Sequence, residues 1–252
     1  MAASQVLISL IFFCFISHAI SRPIIIRLPS YQRGDNDSYC SSWRFSVETN
    51  NAGCWTTIPS SCKSYVEEYL NGNKYLSDSE VTALDSLAFA ETIQIGGDGK
   101  DAWVFDIDET LLSNLPYYRI HGYGSEPFNE LSFDKWVDLA EAPALPSSLK
   151  LYKKLKEKGF TVFLLTGRSE YQRNVTVKNL AFAGYSEWER LILRGTSDEG
   201  KPAIVYKSNK RSELVNEGYR IHGNSGDQWS DLSGFAVAAR SFKLPNPMYY
   251  IP

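Results

Sequence analysis

Two aspartates one residue apart, Asp106 and Asp108, follow the apolar run Ala102 to Phe105, and Glu109 follows them directly. Isolated carboxylates are not packed at the end of a buried strand without partners, because desolvating a lone charge is very unfavourable. A strand that aims several of them at one spot is built to hold a cation. A second acidic pair, Asp227 and Asp231, lies far along the chain in GNSGDQWSDL. Asp106, Asp227 and Asp231 together offer hard oxygen ligands, a donor set that suits Mg2+ better than a metal preferring thiolate or imidazole.

These residues meet only if the chain folds so that distant segments share an edge. AWVFDID, TVFLLTGR, RLILRG and YRIHGNSGD read as short apolar strands. Between them the amphipathic runs SSLKLYKKLKEKGF (ending at Gly159), SEYQRNVTVKNLAFAG and KRSELVNEG read as helices. This alternation predicts an α/β fold, a Rossmann-like parallel sheet with helices on both faces. In such a sheet ligands sit beyond the carboxyl ends of the strands, and that rim is where Asp106 and Asp108, LLTGR and GDQWSDL all fall. Residues 22–100 read as an N-terminal helical extension, including LSDSEVTALDSLAFAETI, and residues 101–252 as the core.

The 252 residues, 43% hydrophobic and 22% charged, are enough for one sizeable core. A net charge of −3 without a long basic run shows neither a nucleic-acid footprint nor a polybasic membrane patch. Residues 1–21 read as a signal peptide: the apolar run Val6 to Ile16 is shorter than a membrane span, and Ala19 and Ser21 have the spacing a signal peptidase favours. The product expected after cleavage has no membrane anchor and is vacuolar or extracellular. Cys14 leaves with that segment, so Cys40, Cys54 and Cys62 remain for one disulfide and one free thiol, with three pairings open. In that compartment Asn36 and Asn174 are glycosylation acceptors, in NDS and NVT.

DIDET resembles the DxDxT signature of the haloacid-dehalogenase superfamily, LLTGR its second motif, YKSNKR its lysine motif and GDQWSDL its acidic fourth motif, in the same order. FDIDETLLSNLPYY, GNSGDQWSDL and the ending FKLPNPMYYIP are similar to plant class B acid phosphatases and the vegetative storage proteins that share their fold. The resemblance implies that Asp106 is a nucleophile forming an aspartyl-phosphate and that Asp108 is the general acid and base, its main-chain carbonyl also serving the metal. Thr166 and Gly167 would bind phosphate oxygens, and Lys207, with Lys210 as its rival, would pair with phosphate and nucleophile. Mg2+ would sit on Asp106, Asp108, Asp227 and Asp231, the last in direct or water-mediated contact. Arg168 stays open between a phosphate contact and a local cap. Cysteines tend to occupy the positions of Cys40 and Cys62 in this family, which implies a Cys40–Cys62 bridge with Cys54 free.

The insertion at about 115–146, with its own helix from Ser132 to Ala140, corresponds to the small helical cap of this family, after the first motif strand. Tyr117 and Tyr118 are placed either beside an aromatic leaving group or between core and cap. Once His18 is removed only His121 and His222 remain, too few for the histidine-dependent or dinuclear phosphatase classes. The expected activity is therefore Mg2+-dependent hydrolysis of small phosphomonoesters, the resemblance also suggesting a homodimer. A storage protein with little or no catalysis is the alternative.

Overall fold

A computed structural model of the chain describes residues 36–251, so the signal-peptide reading of residues 1–21 lies outside the described residues. Helices α1 (Asn36–Glu48), α2 (Lys63–Asn71) and α3 (Asn73–Glu91) come first. The first strand, β1 (Asp101–Phe105), is buried along its whole length, as DAWVF requires. An insertion carrying α4 (Leu115–Ile120) and α5 (Glu130–Leu139) separates it from α6 (Pro146–Lys158). Then follow β2 (Thr161–Ser169), α7 (Arg173–Phe182), β3 (Arg190–Arg194), α8 (Ala203–Asn216), β4 (Arg220–Gly226), α9 (Trp229–Leu232) and β5 (Arg240–Lys243).

The five strands form one parallel sheet in the order β3-β2-β1-β4-β5. Period-two alternation divides its side chains between two cores. Trp103, Phe105, Val162 and Leu164 pack on one face with Leu151 and Leu155 of α6 and with α3 residues such as Leu87 and Ala90. Ala102, Val104, Phe163 and Leu165 pack on the other with Tyr206 and Leu214 of α8. Gly223 faces Trp103 from β4, and any Cβ there would overlap the indole ring. That close approach lets Trp103 stack on Phe242 with ring centroids 5.4 Å apart.

The observed sheet differs from the sequence reading in two places. β5 adds a fifth strand to the four that the sequence pattern shows, RSFK being only four residues long and burying only Phe242 well. Helix α8 begins at Ala203 rather than near Lys210, so Lys207 is a helical residue whose side chain turns into the protein. The insertion after β1 leaves and returns through a closed stem, in which Ser113 N donates to Pro143 O and Leu145 N to Leu111 O at 2.9 Å each. Outside that stem, Tyr117, Tyr118 and Tyr123 pack with Ile58, Val66, Leu70, Leu244 and Met248, joining the insertion to the N-terminal helices and the C-terminal tail. The disulfide joins Cys40 to Cys62, and Cys54 is free and exposed.

At the opposite rim, Asp101 accepts from Arg220 Nε at 2.9 Å and Gly96 N at 2.7 Å, and lies 2.7 Å from His222 Nε2. The Arg220 hydrogen bond outweighs burial and, with those of Gly96 and His222, holds the Asp101 carboxyl below the usual carboxylate range. Its proton affinity is therefore lower in the folded than in the unfolded chain. The stability it contributes is present above the unfolded pKa of about 3.9 and fades as pH falls through the folded value. Asp101→Asn is expected to cost about 1–3 kcal/mol near neutral pH, by the loss of charge-assisted hydrogen bonds. Urea denaturation of both proteins should show that gap closing progressively below about pH 3.9, and a gap constant with pH would contradict the assignment.

Candidate functional site

At the carboxyl rim, Asp106 is the first residue beyond β1, and its main-chain N donates to Ser225 O of β4 at 2.9 Å. Asp227 is the first residue beyond β4. Gly226 is needed beside it, since a Cβ there would overlap the side chain of Asp231 as α9 folds back. Carboxylate oxygens of Asp106, Asp227 and Asp231 consequently lie within 4.8 Å of one another, all three residues buried. Lys207 reaches in from α8, its Nζ donating to one oxygen each of Asp106 and Asp231. The second oxygen of Asp231 accepts from Gln228 N at 2.9 Å.

Burial drives the Asp106 carboxyl well above its ordinary proton affinity; Lys207 opposes the shift, and the carboxylates of Asp231, Asp227 and Asp108 reinforce it. Asp227 is pushed up to about 6 by burial and by Asp231. Burial would lower the Lys207 ammonium, but Asp106 and Asp231 reverse that and raise it. Three buried carboxylates facing one ammonium leave an excess of negative charge, and all the ligand atoms are hard oxygens. A small divalent cation fits both the charge and the donor set.

Asp108 is held differently. Arg168 grips it with Nη2 at 2.7 Å from Oδ1 and Nε at 3.1 Å from Oδ2, while Nη1 of the same guanidinium donates to Thr176 Oγ1 at 3.2 Å. Asn114 Nδ2 adds a hydrogen bond at 2.9 Å, and Asn114 Oδ1 in turn accepts from Trp136 Nε1 of the insertion at 2.8 Å. Burial would raise the Asp108 carboxyl, but the charge and hydrogen bonds of Arg168, with Asn114, hold it below the ordinary range. Glu109 turns away in the left-handed region, with φ of 51°. Its buried carboxyl accepts from the Tyr249 hydroxyl at 2.7 Å and is pushed up to about 8 by burial and by the charges of Asp108 and Asp227.

Thr166 lies two residues past the Leu164–Phe105 pair, at the rim beyond the end of β1, and it is fully buried with Oγ1 accepting from Arg168 N at 3.1 Å. Gly167 next to it is exposed, and a Cβ there would meet no protein atom within 4 Å. Lys210 is not part of the cluster, because it pairs with Glu213 and Asp198 near the surface. Tyr117 and Tyr118 are buried against each other and their neighbours in the insertion and tail. His222 sits with Asp101 at the far rim, and His121 contacts Glu126 and Ser132 in the insertion. Asn36 and Asn174 are both exposed.

Sequence reasoning did not assign Asn114, Gln228, Asn246 or Tyr249 to the site. Asn114 lies within the stretch FDIDETLLSNLPYY, and Asn246 is a polar residue between two prolines in an otherwise apolar tail. Arg168, left open between two roles, contacts a carboxylate and its own strand neighbour.

The family model described as "HAD superfamily, subfamily IIIB (Acid phosphatase)" matches residues 27–252. Acid phosphatase 1 of Solanum lycopersicum is 55% identical over 93% of this chain and 92% of its own length. Vegetative storage protein 2 of Arabidopsis thaliana is 41% identical over 86% of this chain and 82% of its own length. Among solved structures, the class C acid phosphatase from Bacillus anthracis superposes with a TM-score of 0.63 and 25% identity, covering 75% of this chain and 85% of that one. With a match running from the N-terminal helices through every motif of the rim to the final proline, the chain belongs to the acid phosphatase family of HAD subfamily IIIB.

Proposed function

We propose that this protein is a Mg2+-dependent acid phosphatase that hydrolyses small phosphomonoesters through an aspartyl-phosphate on Asp106. The observation that carries the reading is the pair of differently held carboxylates: Asp106 set against Lys207 and two further aspartates, and Asp108 gripped by Arg168. Asp106, Asp227 and the main-chain carbonyl of Asp108 would hold the ion, with Asp231 beside them. When bound, the ion neutralises phosphate oxygens and the acidic cluster that would otherwise repel the substrate.

In the first half-reaction an Asp106 oxygen bonds to phosphorus, the ester P–O bond breaks, and Asp108 gives its proton to the departing alkoxide. In the second, Asp108 takes a proton from water, whose oxygen bonds to phosphorus and releases phosphate and the Asp106 carboxylate. Lys207 holds positive charge against the transferring group, and the Thr166 hydroxyl with the main chain at Gly167 would bind the remaining oxygens. The reading extends to the insertion as a cap, to residues 22–100 as an extension of the core, and to a secreted or vacuolar homodimer glycosylated at Asn36 and Asn174. The Cys40–Cys62 bridge supports an oxidising compartment, and no helix among the described residues is long and apolar enough to cross a membrane. The similarity to a storage protein favours a second reading, storage with little catalysis.

Asp106→Asn is isosteric but not nucleophilic, so hydrolysis of a generic aryl phosphate should vanish while circular dichroism and the unfolding midpoint stay close to wild type. Wild-type rates in that variant would remove the aspartyl-phosphate, and a wild-type protein without turnover would favour storage. Chelation should stop catalysis, added Mg2+ should restore it, and Asp227→Ala should reproduce the chelated state. Full activity in metal-free buffer would refute the metal assignment, and strict Zn2+ dependence would argue against an all-oxygen site.

A further inference from the structure

The quoted ending FKLPNPMYYIP is not used by the reaction above, yet residues 244–251 run directly over the acidic rim. Leu244 N donates to Gly226 O at 2.9 Å, continuing the edge of the sheet. Glu48, the last residue of α1, clamps the segment: it accepts from Asn246 N at 3.0 Å and from Lys243 Nζ at 2.7 Å, and its carbonyl accepts from Trp229 Nε1 at 3.1 Å. Asn246 is 1% exposed, although it is polar and carried on an apolar tail.

Its amide cannot be reversed. Oδ1 accepts from Met248 N at 2.9 Å, and a main-chain N–H can only donate, so Nδ2 must be the group 2.7 Å from Asp227 Oδ2. The same oxygen receives Gln228 Nε2 at 2.7 Å. Gln228 is itself fixed by the segment, since its Oε1 accepts from Ile251 N at 2.9 Å and its Nε2 lies 3.3 Å from Tyr249 O. Two amides thus engage Oδ2, while among the described residues Oδ1 keeps a single long hydrogen bond, from Thr110 Oγ1 at 3.3 Å. One oxygen of the carboxylate is occupied by donors, and the other is left for a cation.

We propose that Asn246 is a positioning residue: the C-terminal segment, anchored by Glu48, acts through it and through Gln228 to orient Asp227 for the divalent ion. The inference rests on the metal reading above. Outer donors that orient a metal ligand change affinity by about 10–100-fold when removed.

The test is calorimetric titration of the full-length mature protein, stripped of metal, with Mg2+, alongside circular dichroism and thermal unfolding in chelator. Asn246→Ala and Gln228→Met should remain folded and bind Mg2+ at least about tenfold more weakly. Saturating Mg2+ should return most of their turnover, which would not happen if the change only damaged the fold. Tyr250→Phe, which removes only an exposed hydrogen bond to Asn50, should bind Mg2+ as wild type does. Wild-type affinity in a folded Asn246→Ala protein overturns the proposal. Should that variant not fold, Gln228→Met decides in the same two directions. A wild-type protein that binds no Mg2+ overturns the metal reading and this inference together, whereas binding that is unaffected by the variants overturns this inference alone.

Discussion

The site is organised around one problem: too many carboxylates in too small a buried space. Asp106 and Asp231 share one ammonium, that of Lys207, with the Asp227 carboxylate close beside them, and Asp108 takes the Arg168 guanidinium for itself. Like charges within a few ångströms of each other raise one another's proton affinity, and burial adds to it. Lys207 lies between Asp106 and Asp231 and is the direct counterweight to that repulsion. Because it stands on α8, the register of that helix against β1 and β2 must be fixed closely, which the packing of Tyr206 and Leu214 on Ala102, Val104 and Phe163 provides.

The same constraint accounts for features far from the chemistry. A parallel sheet brings the ends of β1, β2 and β4 together, but only small residues on β4 let the layers close: Gly223 under Trp103 and Gly226 beside Asp231. The N-terminal helices then hold the tail against the rim, with the disulfide tying α1 to the turn before α2 and Glu48 receiving the tail. The insertion contributes at its own end, where Trp136 fixes Asn114 and so the amide that meets Asp108. Core, insertion, the helices α1 and α2 and the C-terminal segment therefore converge on the orientation of a few carboxylates.

Much of this was legible in the chain. The strand and helix alternation, the rim, Asp106, Asp108, Asp227 and Asp231 can be read because charge at the end of an apolar strand is a local signal, whereas Thr166 is read only through the likeness of LLTGR to a family motif. What was not legible depends on contacts between distant segments. Nothing in NPMYY says that Asn246 meets Asp227, nineteen positions earlier, and nothing near LLTGR says that Arg168 meets Asp108, sixty positions earlier. β5 carries too short a pattern to register as a strand, and the start of α8 at Ala203 is hidden because AIVYKSNK lacks strong helical periodicity. The motif points to Lys207 rather than Lys210, and the contacts agree with it: Lys207 reaches Asp106 and Asp231, whereas Lys210, nearly one turn further along α8, meets Glu213 at the surface.

The Arg168 pair also bears on how, in the proposed mechanism, the Asp108 carboxyl would give a proton and then take one. In the resting site burial favours the neutral acid, but Arg168 and Asn114 outweigh it, so Asp108 rests ionised, the form suited to a base. Serving as the acid requires a higher proton affinity, and the proposed substrate brings the means: a phosphate group beside Asp108 adds like charge, which favours the protonated carboxyl. A phosphate oxygen that also attracts the guanidinium would weaken the grip on Asp108 in the same step. The proton would then reside on Asp108 when an ester is bound and leave with the alkoxide, after which Arg168 again favours the carboxylate that activates water. On this argument the work of shifting Asp108 between its two forms falls to the substrate, and an acidic medium assists the first half-reaction more than the second.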